Sequence, residues 1–200
     1  MSGTGCRGAR IAGMGYYIPE RVLTNHDLEQ MVDTSDEWIV TRSGIRERRI
    51  AADDQAASDL AYEAARKALD DAGVDPADLD LIIVATVTPD MSFPSTGCIL
   101  QDRLGAKKAA AFDLSAACSG FIYGTSMGRA MVANGQADRV LVIGVELLSR
   151  ITDWEDRATC VLFGDGAGAV VLEPGEPGEG ILSTFMPVSY THLRAHETKA

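Results

Sequence analysis

From Lys107 to Gly135 the chain reads KKAAAFDLSAACSGFIYGTSMGRAMVANG, a short apolar run that hands over to a long stretch of small and apolar residues. Ala109 to Leu114 has the length and composition of a buried strand, and the run that begins at Cys118 stops at Asn134-Gly135, a helix-ending pair. Between Cys118 and Asn134 only Arg129 is charged, and Phe121, Ile122, Tyr123, Met127, Met131 and Val132 fall on no single stripe. A helix that is apolar or small all round is buried all round. It needs packed layers above and below, which points to a helix lying between two sheets. The strands legible elsewhere, near Ile11, Ile82, Ala110, Leu141 and Val170, suffice for one.

Cys118 sits where the strand gives way to the helix. Unpaired N–H groups and the helix dipole favour an anion there, and the anionic sulfur is the form that attacks carbonyls. A lone cysteine more often fills a small buried space, and the local residues leave both readings open. Cys6, Cys98, Cys118 and Cys160 show no CxxC spacing, so no zinc site or redox pair is indicated and free thiols are expected.

Composition narrows the classes. At 46% hydrophobic and 24% charged the chain is ordinary globular protein. A net charge of −11 argues against a nucleic-acid partner, whose binding needs basic surface. No apolar run approaches the ~18 residues of a membrane span, and MSGTGCRGAR lacks the apolar core of a signal peptide. A soluble, cytoplasmic protein is expected.

Arg10 to Gly15 reads as a first strand breaking into a turn at Gly13 and Gly15. Thr24 or Asn25 caps a short helix through Met31, with His26 solvated in its first turn, and Thr34-Ser35 caps another reaching about Arg42. Arg42, Arg46, Arg48 and Arg49 then cluster near Trp38 in an acidic protein. They offer a phosphate site beside an aromatic ring, or a solvated surface with Arg–Glu pairs. Ala57 to Ala72 is an amphipathic helix ending at Gly73, and Asp80 to Thr88 a strand buried on both faces. A loop with Phe93 follows, lining a pocket or interface or merely anchoring the loop, and Ser95 or Thr96 opens a helix. Arg139 to Val145 is another buried strand. Thr159 to Leu172 reads as two strands around Gly164 to Gly168, with Cys160 a core residue in the first, and Glu173 to Gly180 as an acidic turn.

Three separated stretches resemble one family. Thr34 to Arg48 (TSDEWIVTRSGIRER), Phe112 to Phe121 (FDLSAACSGF) and Phe163 to Ala169 (FGDGAGA) are similar, in order, to bacterial β-ketoacyl-acyl-carrier-protein synthase III. The resemblance covers about Arg10 to Thr184. It implies an α/β thiolase-like fold, a duplicated unit in which two five-stranded sheets enclose a helical layer. This chain would be the N-terminal half, one five-stranded mixed sheet with helices on both faces. It further implies that Cys118 takes an acyl group, usually acetyl, from coenzyme A, after which malonyl-acyl carrier protein decarboxylates and its carbanion attacks the acyl-enzyme. By position, Trp38 and Arg157 would sandwich the adenine, Thr34 and Arg42 would contact the coenzyme A, and Phe93 would reach into the acyl pocket of a homodimer partner. No cofactor or metal is implied; acyl-CoA is substrate.

The family completes its triad with a His and an Asn from a C-terminal half that this chain does not show. His192 and His196 lie in PVSYTHLRAHETKA, residues 187–200, which resembles a translated sequencing adapter. Nothing around them supplies a third metal ligand. The expected division is therefore 1–186 as the N-terminal half and 187–200 as a foreign tail, with 1–186 inactive alone. Rival readings are a synthase that primes polyketides or other secondary metabolites, and a non-catalytic module binding coenzyme A or carrier protein.

Overall fold

The computed structural model describes residues 7–186, so the 187–200 tail, its two histidines and Cys6 lie outside the described residues. In chain order the regular elements are β1 (Gly8–Tyr17), β2 (Arg21–Thr24), α1 (Asn25–Leu28), α2 (Asp36–Ser43), β3 (Glu47–Ile50), α3 (Ala57–Ala72), β4 (Leu81–Ala85), α4 (Thr96–Leu104), β5 (Ala110–Leu114), α5 (Gly120–Ala133), β6 (Val140–Leu147) and β7 (Asp165–Gly175). Side chains set the helix starts. Thr24 accepts the Asp27 N–H, Ser35 the Trp38 N–H and Ser95 the Cys98 N–H.

One five-stranded sheet has the order β1-β7-β6-β4-β5, and β2 pairs with β3 in a two-stranded ribbon. β4 runs parallel to β5 and β6, while β7 is antiparallel to β6 and β1, so the sheet is mixed as expected. Every residue of β4 is buried, because the two-residue period sends alternate side chains into two different cores. Ile82 and Val84 join Leu141 and Ile143 under α3 and Leu100 of α4. Leu81 and Ile83 join Val140, Val142 and Leu172 under α5. At the other end of the strands one carboxylate ties three starts together. Asp80 accepts the Asp138 and Arg139 N–H groups at 2.8 and 3.0 Å and pairs with Lys108 at 3.3 Å.

Helix α5 lies on the sheet through Gly120, Gly124 and Gly128. A Cβ at Gly124 would stand 3.1 Å from Val142 and 3.3 Å from Ile83, so only a missing side chain permits this approach. Away from the sheet the helix is open in this chain, with Ile122 and Met127 at 50% and 44% exposure. The helix is thus half of the buried layer that its composition demands. None of the helices among the described residues is long and apolar enough to cross a membrane.

Four expectations are corrected. Gly13 and Gly15 are not turn residues; β1 runs through them, and a Cβ at either would overlap the backbone of α3. The run Thr159 to Gly164 forms turns, not a strand, because Cys160 and Val161 pack instead against Leu28 and Ile39. The strand read to Thr88 ends at Ala85, and the next three residues fold onto Glu146. Strand β7 continues to Gly175, taking in Glu173 and Pro174 from the supposed turn.

Candidate active site

Strands β4, β5 and β6 present their C-terminal ends on one edge, where open α/β sheets bind ligands. After β5 a 3₁₀ turn, Ala117–Ser119, leads into α5, and Cys118 occupies its centre. Ala117 has φ 46°, the left-handed region that a side chain disfavours. That turn leaves Cys118 exposed, in a cleft of about 340 Å³ walled by Ala85, Phe121, Gly144, Glu146, Gly166 and Gly168. The glycine-rich segment Gly164 to Gly168 forms one wall of this cleft. Gly168 is free of contact where a Cβ would stand, so its small size leaves space beside the thiol.

The other cysteines differ. Cys160 is fully buried, and burial, with Asp156 nearby, pushes its thiol up from its ordinary value, so it is a core residue. Cys98 is exposed on α4 with its thiol 3.7 Å from the Ala111 carbonyl oxygen.

A second cluster forms around Trp38. Arg42 lies one turn along α2 with its guanidinium carbon 4.5 Å from the Trp38 ring centre, and Arg157 arrives from the 148–163 segment at 4.4 Å. Thr34, before the helix cap, has a buried hydroxyl without a hydrogen-bond partner. The arginine cluster itself divides. Arg48 is 5% exposed and donates to Asn25, the Leu23 carbonyl and the Val161 carbonyl, a structural role. Arg49 donates to the Pro19 carbonyl and pairs with Glu47. Arg42 and Arg157 on Trp38 remain as the cationic face. His26 is exposed and paired with Glu29, whose hydrogen bond and charge raise its pKa.

A second cleft of about 340 Å³ is lined by Leu148, Ile151, Thr152, Asp153, Thr159 and Phe163. Phe163 lines this one and its neighbour Gly164 the Cys118 cleft. Sequence reasoning did not single it out; apolar Leu148, Ile151 and Phe163 in a polar loop were the available signal. Nor did it single out Glu146, an acid in the apolar run VLVIGVEL. Phe93 stands outside both clefts at 88% exposure on the loop before α4. Among the described residues no group of His, Cys, Asp and Glu is placed to hold a metal.

Residues 112–188, which contain the Cys118 turn, match the family model described as 3-oxoacyl-[acyl-carrier-protein (ACP)] synthase III. The beta-ketoacyl-[acyl-carrier-protein] synthase III of Caldanaerobacter subterraneus subsp. tengcongensis is 62% identical over 178 residues, covering 89% of this chain and 54% of that protein. The crystal structure of 3-oxoacyl-[acyl-carrier-protein] synthase III from Aquifex aeolicus superposes with TM-score 0.82 at 57% identity, covering 83% of this chain and 54% of the other. The priming β-ketosynthase of the R1128 polyketide pathway superposes with TM-score 0.84 at 40% identity, covering 88% and 53%. The chain spans about half the length of the curated relatives it matches, and within that span it belongs to the 3-oxoacyl-[acyl-carrier-protein] synthase III family, with the thiolase-like fold.

Proposed function

We propose that Cys118 accepts an acyl group, acetyl in the first instance, from coenzyme A as the opening step of the initiating condensation in fatty-acid synthesis. The Cys118 sulfur attacks the thioester carbonyl, a new thioester forms on the protein, and coenzyme A leaves as its thiol. The proton lost by Cys118 ends on that leaving thiol, so no redox partner or cofactor takes part. The start of α5 beside Cys118 favours the negative charge that develops on the carbonyl oxygen. In the whole protein malonyl-acyl carrier protein then loses carbon dioxide, and its carbanion attacks the Cys118 thioester to give a β-ketoacyl product. What carries the reading is an exposed thiol in a cleft at the ends of three parallel strands, behind a residue at φ 46°.

The Trp38 cluster suits the nucleotide end of the donor. Trp38 and Arg157 offer two faces for its adenine, Arg42 supplies charge for its phosphates, and the partnerless Thr34 hydroxyl is a further donor. Phe93 at 88% exposure and Met91 at 50% suit a surface covered by a second subunit in a cytoplasmic homodimer. Among the described residues the Cys118 cleft has no basic or amide side chain to stabilise a carbanion, so the chain alone stops at the acyl-enzyme. Curated synthase III relatives at 58% to 63% identity support the fatty-acid assignment.

The test is incubation of the full-length gene product with acetyl-CoA, followed by mass analysis of the peptides holding Cys118 and Cys98. Acetyl on Cys118 alone is expected. No transfer, or equal transfer to both thiols, would leave a binding module as the better reading.

A further inference from the structure

Strand β4 ends at Ala85, while β6 continues to Leu147, so Glu146 and Leu147 outrun their parallel partner. Side chains take over where the ladder stops. The Glu146 carboxylate accepts the Val87 N–H at 2.9 Å, the Thr88 hydroxyl at 2.6 Å and the Thr86 hydroxyl at 3.4 Å. The Thr88 oxygen in turn accepts the Leu147 N–H at 2.9 Å, and the Thr86 oxygen accepts the Thr88 N–H at 3.1 Å. Among the described residues, Glu146 is, besides Cys118, the one titratable side chain in the walls of the Cys118 cleft.

This network holds one end of the segment that carries Phe93. At the other end Asp90 accepts the Ser58 N–H at 2.8 Å, and Asp113 accepts the Thr96 and Gly97 N–H groups at 2.8 and 2.7 Å. Residues 86–97 are therefore tied down through three carboxylates, Glu146 and Asp113 on two neighbouring strands and the segment's own Asp90, which reaches the first turn of α3. Only the Glu146 end borders the reacting thiol.

We propose that Glu146 and Thr88 form a latch that fixes the 86–95 loop, Phe93 included, on the edge of the sheet that carries Cys118, and so sets which acyl groups the two Cys118 clefts of the homodimer accept, each Phe93 acting on the cleft of the other subunit. They are positioning residues and touch no reacting atom. The inference rests on the reading of Cys118 as acyl acceptor. An apolar isostere cannot stand in for a hydroxyl that bridges a carboxylate and a backbone N–H, because its loss strands both partners in a partly buried site.

The test uses Thr88→Val, Thr88→Ser and Glu146→Gln in the full-length gene product. The readouts are the ratio of isobutyryl to acetyl transfer onto Cys118 and the amide exchange rates of Val87 and Leu147. Thr88→Val and Glu146→Gln are expected to raise the ratio about 3- to 10-fold and to speed exchange at both amides. Thr88→Ser keeps the hydroxyl and is expected to stay within about twofold of the parent ratio. An unchanged ratio with accelerated exchange, or unchanged exchange in both disruptive variants, overturns the latch. Should Thr88→Val not fold, Glu146→Gln against Thr88→Ser decides by the same criteria. Failure of the parent protein to acetylate Cys118 is a different result, and it removes the underlying reading instead.

Discussion

The guanidinium carbon of Arg157 stands 4.4 Å from the centre of the Trp38 ring, the spacing of a direct stack. A planar base inserted between the two needs contacts of about 3.5 Å on each side, roughly 7 Å in all. Sequence resemblance implied an adenine held between these side chains, and the geometry brings them together with the slot closed. Donor binding in the full-length protein should therefore swing Arg157 outward. Trp38→Ala is expected to raise the Michaelis constant for acyl-CoA about fivefold, the equivalent of ~1 kcal/mol of stacking, with little change in kcat. An unaltered constant would remove Trp38 from the donor site.

Phe93 gives a prediction that separates specificity from stability. At 88% exposure its ring packs on little within this chain, so Phe93→Ala should shift unfolding of the chain by less than about 0.5 kcal/mol. In the full-length protein the same change should admit longer or branched acyl donors. A primer profile identical to that of the parent would reduce Phe93 to a loop anchor.

Gly15 tests the packing of β1 against α3. A Cβ there would overlap the Ala64 carbonyl oxygen and the Ala68 amide nitrogen, both backbone atoms that cannot swing aside. Gly15→Ala is expected to destabilise the fold by about 1–3 kcal/mol or more, measured by denaturant unfolding. A neutral result would mean that α3 can slide away from the strand.

Asp80 should make the fold acid-sensitive. Partial burial opposes its charge, but the N–H groups of Asp138 and Arg139, and then Lys108, outweigh this and hold the carboxyl below its ordinary value. A carboxyl with a depressed folded pKa contributes stability that is complete above the unfolded value of about 4 and is lost as pH falls through the folded value. The thermal midpoint should drop between about pH 5 and about pH 3, and Asp80→Asn should shrink that drop while lowering the midpoint at pH 7. Equal drops in both proteins would place the acid sensitivity elsewhere.

The elements that were legible in the sequence are those whose signal is local. Ser35 and Ser95 announce their helices because a cap acts within three residues. The run Leu81 to Ala85 announces a central strand because burial on two faces leaves no polar position. What stayed illegible was decided across the chain. Arg48 looks like Arg42 in sequence, yet Asn25 and the Val161 carbonyl, 23 and 113 residues away, make it a buried strut. The apolar Cys160 and Val161 could serve a strand or a core turn equally well, and Leu28 and Ile39 chose the turn. Cys118 could be singled out as a candidate because strand and helix meet there in sequence, whereas Glu146 comes to its cleft only through strand register.

The sheet order places β1 beside β7, with Gly8 opposite Gly175 and Tyr17 opposite Ala167. Within this five-stranded sheet β1 is thus made first and its neighbour β7 last. At synthesis rates of about 5–20 residues per second, β1 waits roughly ten to thirty seconds with Ile11, Met14 and Tyr16 unpaired and apolar. Helix α3 emerges early enough to shelter the Gly13 and Gly15 side of the strand, but its ladder edge stays open until residue 175 is made. This nascent chain should therefore be a client for chaperones that recognise extended apolar segments, and any pause in translation between α3 and β7 should lower the yield of folded protein.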